Sequence, residues 1–334
     1  MTKNGKTTYS KKDGGNGAEL SQTKTRSVYN ISTCWLAEIS SDLKESSIVK
    51  YENILRCYIL PTFGESDLAD ISNERLIAFV NELKISGGAK KQGLSPSTVS
   101  EVITTMNSLR LYAVKRDITV HFSTECVSVK RNRKDIRVLN LSEERSLINY
   151  LRGNMDLTAL GIMICLYTGI RVGELCALKW DEINLNEKTM RIGKTMQRLR
   201  VKDRDKKTEV RILEPKSNHS IRIIPLPDTL VEELAGKYCK GAFVLTGSAT
   251  KFVEPRVMQN RFKRILGKCG IEDANFHATR HTFATRCVEL GFDVKSLSEI
   301  LGHASVSITM NKYVHPTMAF KAENMNRLTG LFEK

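Results

Sequence analysis

The sequence lacks any long run of apolar residues. Its longest apolar stretch, Leu157 to Leu166, contains Thr158 and falls far short of the ~20 residues that a membrane-spanning helix needs. The amino terminus carries no apolar segment typical of a secretory signal. We therefore expect a cytoplasmic protein with no membrane association.

Closely spaced cysteines are also missing. The eight cysteines are scattered, and none forms a C-x-x-C pair, which disfavours both a zinc site and a disulfide framework. Several of them, such as Cys165 and Cys287, lie within apolar helical patterns. We expect the cysteines to be small buried hydrophobic residues in a reducing compartment.

Two further absences concern cofactors and charge. No G-x-x-x-x-G-K-[ST] loop and no carboxylate cluster is found, so we expect neither ATP chemistry nor a two-metal nuclease, and no cofactor. Acidic residues are few, 37 against 52 Lys and Arg, which gives a formal charge of +15 and a pI near 9.4. Such an excess favours a polyanionic partner, most commonly nucleic acid, although basic proteins of membrane surfaces share it.

The chain is long enough for two domains with separate cores. Residues 1–22 are almost without apolar groups and predict a flexible basic tail. Residues 23–120 show helical periodicity throughout and predict a four-helix domain. Its third helix is expected from about Ser72 to Ile85. The chain should break over Leu60 to Gly64, and Ser95-Pro96 should begin the last helix.

Residues 121–139 form a predicted linker. Its basic run, Lys130 to Lys134, is explained equally well by a solvated linker and by contact with phosphate.

Residues 140–334 predict a second, mixed domain. It opens at the capped start Leu141 to Glu144, and short strands are expected at Met190 to Leu199, Glu209 to Leu213 and Ile221 to Ile224. Helical periodicity returns from Thr229 and continues to the C-terminus. The predicted fold is mainly α with a small β-sheet, an α+β class.

Several polar residues stand at positions where chemistry is expected. Arg171 lies between Gly169 and Gly173, directly after a uniformly apolar helix, and a guanidinium held there needs an anion, either Glu174 or a ligand phosphate. His277 and Arg280 are three residues apart at a helix start, which places them on one face near the positive end of the helix dipole.

His277 and His281 have the i, i+4 spacing of a zinc pair. However, Ala278 replaces the glutamate that follows the first histidine of the catalytic zinc motif. A zinc hydrolase is therefore a disfavoured alternative.

Three more positions lie in short motifs: Lys216 in a predicted strand turn, His303 in Leu-Gly-His after a helix, and Tyr313 ten residues later. Each has an ordinary explanation by itself, since turn lysines are usually solvent-exposed and helical tyrosines usually belong to the core. Their order is more specific.

The order Arg…Lys…His-x-x-Arg…Leu-Gly-His…Tyr resembles that of the tyrosine recombinase (phage integrase) family, and the resemblance spans roughly residues 25–334. It implies a four-helix core-binding domain and an α/β catalytic domain. It also implies a catalytic set, listed in chain order: Arg171, Lys216, His277, Arg280, His303 and Tyr313. Tyr313 is the implied nucleophile and the two arginines are the phosphate clamp. We assign His277 as the proton acceptor and Lys216 as the general acid.

This resemblance implies metal-independent cleavage and rejoining of DNA at specific core sites through a 3′-phosphotyrosine, for integration or excision of a mobile element. The implied partners are double-stranded DNA, three further copies of the chain in a tetramer on paired sites, and an excisionase or other accessory protein. The tail after Tyr313 can dock on a neighbouring protomer or on its own domain. The short amino-terminal tail predicts no arm-binding domain.

Four alternative functions remain at this point. They are Xer-like dimer resolution, type IB topoisomerase activity, DNA binding by a regulator with a degenerate active site, and the disfavoured zinc hydrolase.

Overall fold

The structure is a computed structural model that describes residues 26–130, 136–200, 208–214 and 221–314, with residues 322, 325 and 326. It divides into two compact units, Met1–Arg133 and Lys134–Lys334, and each has its own hydrophobic core. The predicted tail 1–22, most of the basic run after Lys130, and Lys216 lie outside the described residues. Among the described residues, no helix is long and apolar enough to cross a membrane.

The first unit is helical. Its helices are α1 (Val28–Ile39), α2 (Glu45–Ile54), α3 (Leu60–Phe63), α4 (Asn73–Ser86) and α5 (Pro96–Val114). Serine hydroxyls cap three of the helices, because Ser27, Ser72 and Ser95 each accept a hydrogen bond from the backbone N–H three residues on. The predicted helix starts at Ser72 and Ser95 are confirmed.

The predicted break over Leu60 to Gly64 is confirmed only at its far end, because the helix continues through Pro61 and ends at Phe63. A π turn over Leu55–Ile59 joins α2 to α3, so the chain stays helical from residue 45 to residue 63. The Leu60 N–H donates to the carbonyl of Leu55, and Pro61 then lies in the first turn of α3, where a missing N–H costs little. The described part of this unit therefore has four helical segments, as predicted.

The second unit begins with α6 (Leu141–Gly153), α7 (Leu157–Thr168) and α8 (Val172–Ala177). Its strands are β1 (Ile183–Asn184), β2 (Thr189–Ile192), β3 (Thr195–Arg200), β4 (Thr208–Leu213) and β5 (Arg222–Pro225). Its remaining helices are α9 (Asp228–Ala235), α10 (Pro255–Lys268), α11 (His277–Glu289), α12 (Val294–Leu301) and α13 (Val306–Tyr313). The mainly α fold with small sheets is confirmed.

Strand pairing in this unit is antiparallel. One sheet has the order β1-β2-β5 and the other pairs β3 with β4. The single strand predicted from Met190 to Leu199 is therefore wrong, because the chain changes partner at Gly193-Lys194, and a glycine has no side chain to pack in a strand. The helical continuation predicted from Thr229 is also interrupted, since residues 236–254 form turns in which Phe243 bridges to Lys179 and Ser248.

Helix α7 is the centre of the larger core and is buried on nearly every side. It ends at Gly169, whose φ of +64° is the left-handed conformation that favours glycine. A Cβ atom there would lie 2.5 Å from Cδ1 of Phe283 on α11. The close approach of α7 to α11 therefore needs glycine, and it fixes where Arg171 emerges.

The prediction of buried cysteines is confirmed for Cys165, Cys176 and Cys287. It is wrong for four others, which are exposed: Cys34, Cys57, Cys126 and Cys239. Composition and spacing disfavour a metal or disulfide role, but they do not tell on which face of its helix or turn each cysteine lies.

Candidate active site

Five of the six predicted catalytic positions lie within described residues, and the fold brings them together. Arg171 caps the start of α8, and His277 and Arg280 lie in the first turn of α11. His303 follows the end of α12, and Tyr313 is the last residue of α13. Four separate helix ends therefore meet at one place. Lys216, the sixth position, lies outside the described residues.

Arg280 is the structural centre of this cluster and is only 1% exposed. Its Nη1 donates to the Gly169 carbonyl and its Nη2 donates to the Leu301 carbonyl, both at 2.8 Å. The guanidinium thus ties the end of α7 to the end of α12. Burial, reinforced by the charge of Arg171, lowers the pKa of Arg280 to about 10, so it remains a cation at neutral pH.

Glu174 is the buried anion of the cluster. Its carboxylate accepts from Arg171 Nη1 and the Arg171 backbone N–H, both at 2.8 Å, and from Arg222 Nη1 and Nη2 at 3.2 and 2.9 Å. Burial by itself raises the pKa of Glu174, but the bonds and charge of Arg222 and the charge of Arg171 outweigh it and lower the pKa to about 2. Although Arg171 is paired, its side chain is 39% exposed and stays accessible to a ligand.

The end of α12 organises the three arginines. Successive carbonyls at residues 300, 301 and 302 accept from Arg222 Nε at 2.6 Å, Arg280 Nη2 at 2.8 Å and Arg171 Nη2 at 3.4 Å. The last carbonyls of a helix lack intrahelical donors and carry its negative dipole end, so guanidiniums are well suited to this place. Gly302 is required at the turn, since its φ is +64° and an added Cβ would lie 3.0 Å from Arg222 Nη1.

Tyr313 lies beside these cations with only 6% of its surface exposed. Its hydroxyl lies 2.9 Å from Nδ1 of His281, and the ring of His303 stacks parallel to its own with centroids 6.3 Å apart. Burial raises the pKa of Tyr313, and the charges of Arg280 and Arg171 oppose this rise. The phenol is therefore protonated at neutral pH.

The three histidines of the cluster are neutral at neutral pH. Burial, with neighbouring positive charges, lowers the pKa of His277 to about 4 and those of His281 and His303 to about 3. His303 Nδ1 is held by the buried Thr309 hydroxyl at 2.7 Å. Because imidazoles stay uncharged here, they serve as hydrogen-bonding groups rather than as cations.

The charge of the described cluster is clearly positive. Its described members include the cations Arg171, Arg222, Arg280 and Lys312 and the carboxylate Glu174. Burial, together with the charges of Arg280 and Arg171, lowers the pKa of Lys312. Such a site favours an anion and provides donors for the charge that develops on a phosphoryl group. Within the described ranges, no three His, Cys, Asp or Glu side chains are grouped to hold a metal ion.

Comparison with protein families identifies the chain. The model of the phage integrase family matches residues 137–319, more than half of the chain, and the model of the phage integrase N-terminal SAM-like domain matches residues 28–84. The chain belongs to the phage integrase family. It is accordingly an enzyme of the tyrosine recombinase type, which breaks and rejoins DNA.

Relatives of this recombinase include a tyrosine recombinase and an integrase. It is 27% identical to a XerC-like tyrosine recombinase of Caldanaerobacter subterraneus subsp. tengcongensis, over 89% of this chain and 81% of the relative. It is 22% identical to the ICEBs1 integrase of Bacillus subtilis, over 87% and 80%.

Solved structures share the fold of the recombinase. The Tn1549 transposon integrase, in complex with a circular intermediate DNA, superposes with a TM-score of 0.72 at 20% identity, over 89% of this chain and 99% of that one. A lambda integrase, solved as a tetramer bound to a Holliday junction, gives 0.63 at 16% identity, over 92% and 84%.

Sequence reasoning missed two contacts of this recombinase site. The first is the contact of His281 with Tyr313. The i, i+4 spacing of His277 and His281, interpreted above as that of a zinc pair, also places both side chains on one face of α11. Arg222 was treated as part of a strand, although strand alternation puts it on the same face as the buried Ile224. The catalytic roles of the predicted residues themselves stay predictions.

Proposed function

We propose that this recombinase cleaves and rejoins DNA at specific core sites, through a covalent bond between Tyr313 and a 3′ phosphate, in the integration and excision of a mobile element. The proposal depends above all on the position of the Tyr313 phenol, which is nearly buried beside a net positive cluster. A phosphodiester is the anionic group of DNA that such a cluster favours.

In the proposed cleavage step, the Tyr313 phenol passes its proton to His277, which we keep as the proton acceptor, and its oxygen forms a bond to phosphorus while the bond from phosphorus to the 5′ oxygen breaks. Negative charge gathers on the non-bridging oxygens, where Arg171, Arg280 and His303 are the donors. Loss of one such donor costs on the order of 3–4 kcal/mol of transition-state stabilisation. The departing 5′ oxygen takes up a proton, and we keep Lys216, outside the described residues, as its source.

Rejoining reverses these steps. A 5′-hydroxyl attacks the phosphotyrosine, the bond between phosphorus and the Tyr313 oxygen breaks, and the phenol regains its proton. Because the phosphoester bond is exchanged rather than hydrolysed, the cycle needs no external energy source.

The test uses a suicide substrate, which is a nicked duplex. After cleavage, the short fragment that carries the 5′-hydroxyl dissociates, so the strand cannot be rejoined. Its core sequence is selected from a randomised duplex library by binding to the protein. Wild-type protein should form a covalent adduct, and Tyr313→Phe should bind the duplex equally and form none. Tyr150→Phe is the matched control, since that phenol contacts Lys268 at an exposed position outside the cluster. Adducts formed by Tyr313→Phe would move the nucleophile to another residue.

A second candidate role is Xer-like resolution of chromosome or plasmid dimers, which the likeness to a XerC-like recombinase favours. The two roles differ in substrate. Recombination between a circular element junction and a target site in another molecule supports the mobile-element role, whereas activity only on two sites within one dimer supports resolution. A type IB topoisomerase would instead relax a supercoiled plasmid without paired sites.

We also propose that four protomers act on two DNA sites, as the lambda integrase tetramer on a Holliday junction suggests, and that the enzyme acts in the cytoplasm. Light scattering of the complex with paired core-site duplexes tests the tetramer. Fractionation of expressing cells tests the location. Docking of the tail after Tyr313 stays a prediction, because most of that tail lies outside the described residues.

A further inference from the structure

The hydroxyl of Tyr313, the proposed nucleophile, is in hydrogen-bond contact with His281. The phenol oxygen lies 2.9 Å from His281 Nδ1. His277, the predicted proton acceptor, packs edge-on against His281, with ring centroids 4.5 Å apart. The imidazole in contact with the attacking oxygen is therefore the second histidine of α11.

The backbone around His281 is fixed from both sides. Its neighbour Arg280 is anchored to the carbonyls of Gly169 and Leu301, and its other neighbour, Thr282, accepts a hydrogen bond from the Leu139 N–H at 3.0 Å. Tyr313, by contrast, ends an eight-residue helix. A rigid acceptor thus faces a nucleophile on a short element.

We propose that His281 is a positioning residue for the Tyr313 nucleophile. Its Nδ1 accepts the hydrogen bond of the phenol O–H, which turns the oxygen lone pairs away from α11 and toward the bound phosphate. The stacked ring of His303 fixes the plane of the phenol, and His281 fixes the direction of its hydroxyl.

Neutrality of the imidazole is part of this arrangement. An imidazolium has no acceptor nitrogen. Burial, together with the charge of Lys312 and the neighbouring His277, lowers the pKa of His281, so Nδ1 is able to accept at neutral pH. His303 and Arg280 also face this imidazole and lower its pKa in the same direction.

The test rests on the proposed function and compares two variants of similar size. Asparagine places an oxygen near the position of Nδ1, whereas glutamine places it near Nε2. With the suicide substrate, His281→Ala and His281→Gln should lower the cleavage rate on the order of 10²-fold, as expected for a misplaced reacting group, and His281→Asn should restore most of it. DNA affinity should not change.

A second substrate separates positioning from damage to the whole site. In a Tyr313→Phe background, a DNA end bearing a 3′-(p-nitrophenyl phosphate) is joined without the tyrosine. A 5′-hydroxyl forms the new bond to phosphorus, p-nitrophenolate leaves with its electron pair, and the hydroxyl proton passes to solvent. Because this reaction bypasses Tyr313, adding His281→Ala or His281→Gln should leave its rate unchanged.

The outcomes are distinct. Equal losses in both reactions, or cleavage by His281→Ala at the wild-type rate, would overturn the positioning role. So would a slow His281→Asn variant that melts like the wild type. Absence of an adduct from the wild-type protein would instead refute the proposed function, and the role of His281 would fall with it.

Discussion

Replacing Arg222 by methionine should destabilise the catalytic unit strongly although Arg222 belongs to no predicted catalytic set. The side chain is buried and holds both Glu174 oxygens and the Ile300 carbonyl. Methionine keeps most of the apolar stem but donates no hydrogen bond. Glu174 is then left buried with Arg171 as its cationic partner among the described residues.

The magnitude follows from two considerations. Removing one partner of a buried ion pair costs about 3–5 kcal/mol, and we expect the lower end because Arg171 keeps its bonds to Glu174. The lowering of the Glu174 pKa from 4.5 to about 2 corresponds to about 3 kcal/mol for ionised Glu174 in the whole site, and Arg222 is the largest favourable cause. For a unit of this size, a loss of about 3 kcal/mol lowers Tm by roughly 6–12 °C.

The two tryptophans allow the measurement on the full chain. Trp35 lies in the first unit and Trp180 is buried in the second. In a Trp35→Phe background, the fluorescence of Trp180 reports unfolding of the catalytic unit. The matched control is Arg191→Met on the adjacent strand β2, whose side chain is 56% exposed and lies 3.9 Å from Glu182. That exposed pair is worth at most about 1 kcal/mol.

The double variant Glu174→Gln, Arg222→Met completes the cycle. Its loss of unfolding free energy should be smaller than the sum of the losses in Glu174→Gln and Arg222→Met. The reason is that the double variant no longer buries a Glu174 charge that lacks its Arg222 partner. The pH dependence has a definite sign: Glu174 contributes stability above pH 4.5, and this is lost as the pH falls toward 2. A loss below 1 kcal/mol for Arg222→Met, or strict additivity, would refute the reasoning.

Four further predictions use simpler measurements. In the folded chain, His277, His281 and His303 have pKa values below the usual 6.5, so unfolding takes up protons in acid. The free energy of unfolding, followed by Trp180 fluorescence, should therefore fall as the pH is lowered from 6.5 to about 4. A free energy of unfolding that does not change over this range would contradict the neutral state of the imidazoles. Gly169→Ala should lower the free energy of unfolding by about 2 kcal/mol or more, because φ is +64° and the new Cβ would lie 2.5 Å from the Phe283 side chain. The control Gly236→Ala should be neutral or slightly stabilising, because φ there is −69° and no atom lies within 4 Å of the new Cβ. Core-site affinity should fall about 10³-fold or more between 50 and 200 mM salt, as for proteins with many phosphate contacts; a weak slope in filter binding would speak against a phosphate clamp. Adduct formation should persist in excess EDTA, because cationic side chains take the role of a metal, and metal dependence would count against the mechanism.

The sequence by itself determined what depends on near neighbours along the chain. Serine caps at Ser72 and Ser95, the largely apolar α7 and the glycine after α12 are signals that act over three or four residues, and the structure has them. The mainly α class and the family follow from such local patterns and from the order of the motif residues. The break predicted over Leu60 to Gly64 comes after Phe63 rather than at the proline, because the first turn of α3 accommodates Pro61.

Only the tertiary structure decided how the site is held together. Arg222 and Glu174 are 48 residues apart, Arg280 reaches Gly169 across 111 residues, and His281 meets Tyr313 across 32. The periodicity of the sequence does not predict such pairs. Their distances are set only when α7 packs against α11 and α12 and brings the helix ends together. Arg171 and Arg280 were identified from the sequence, but Arg222 was not. The burial of the arginines, their bonds to successive carbonyls and the neutral state of the imidazoles follow from the packed core around them.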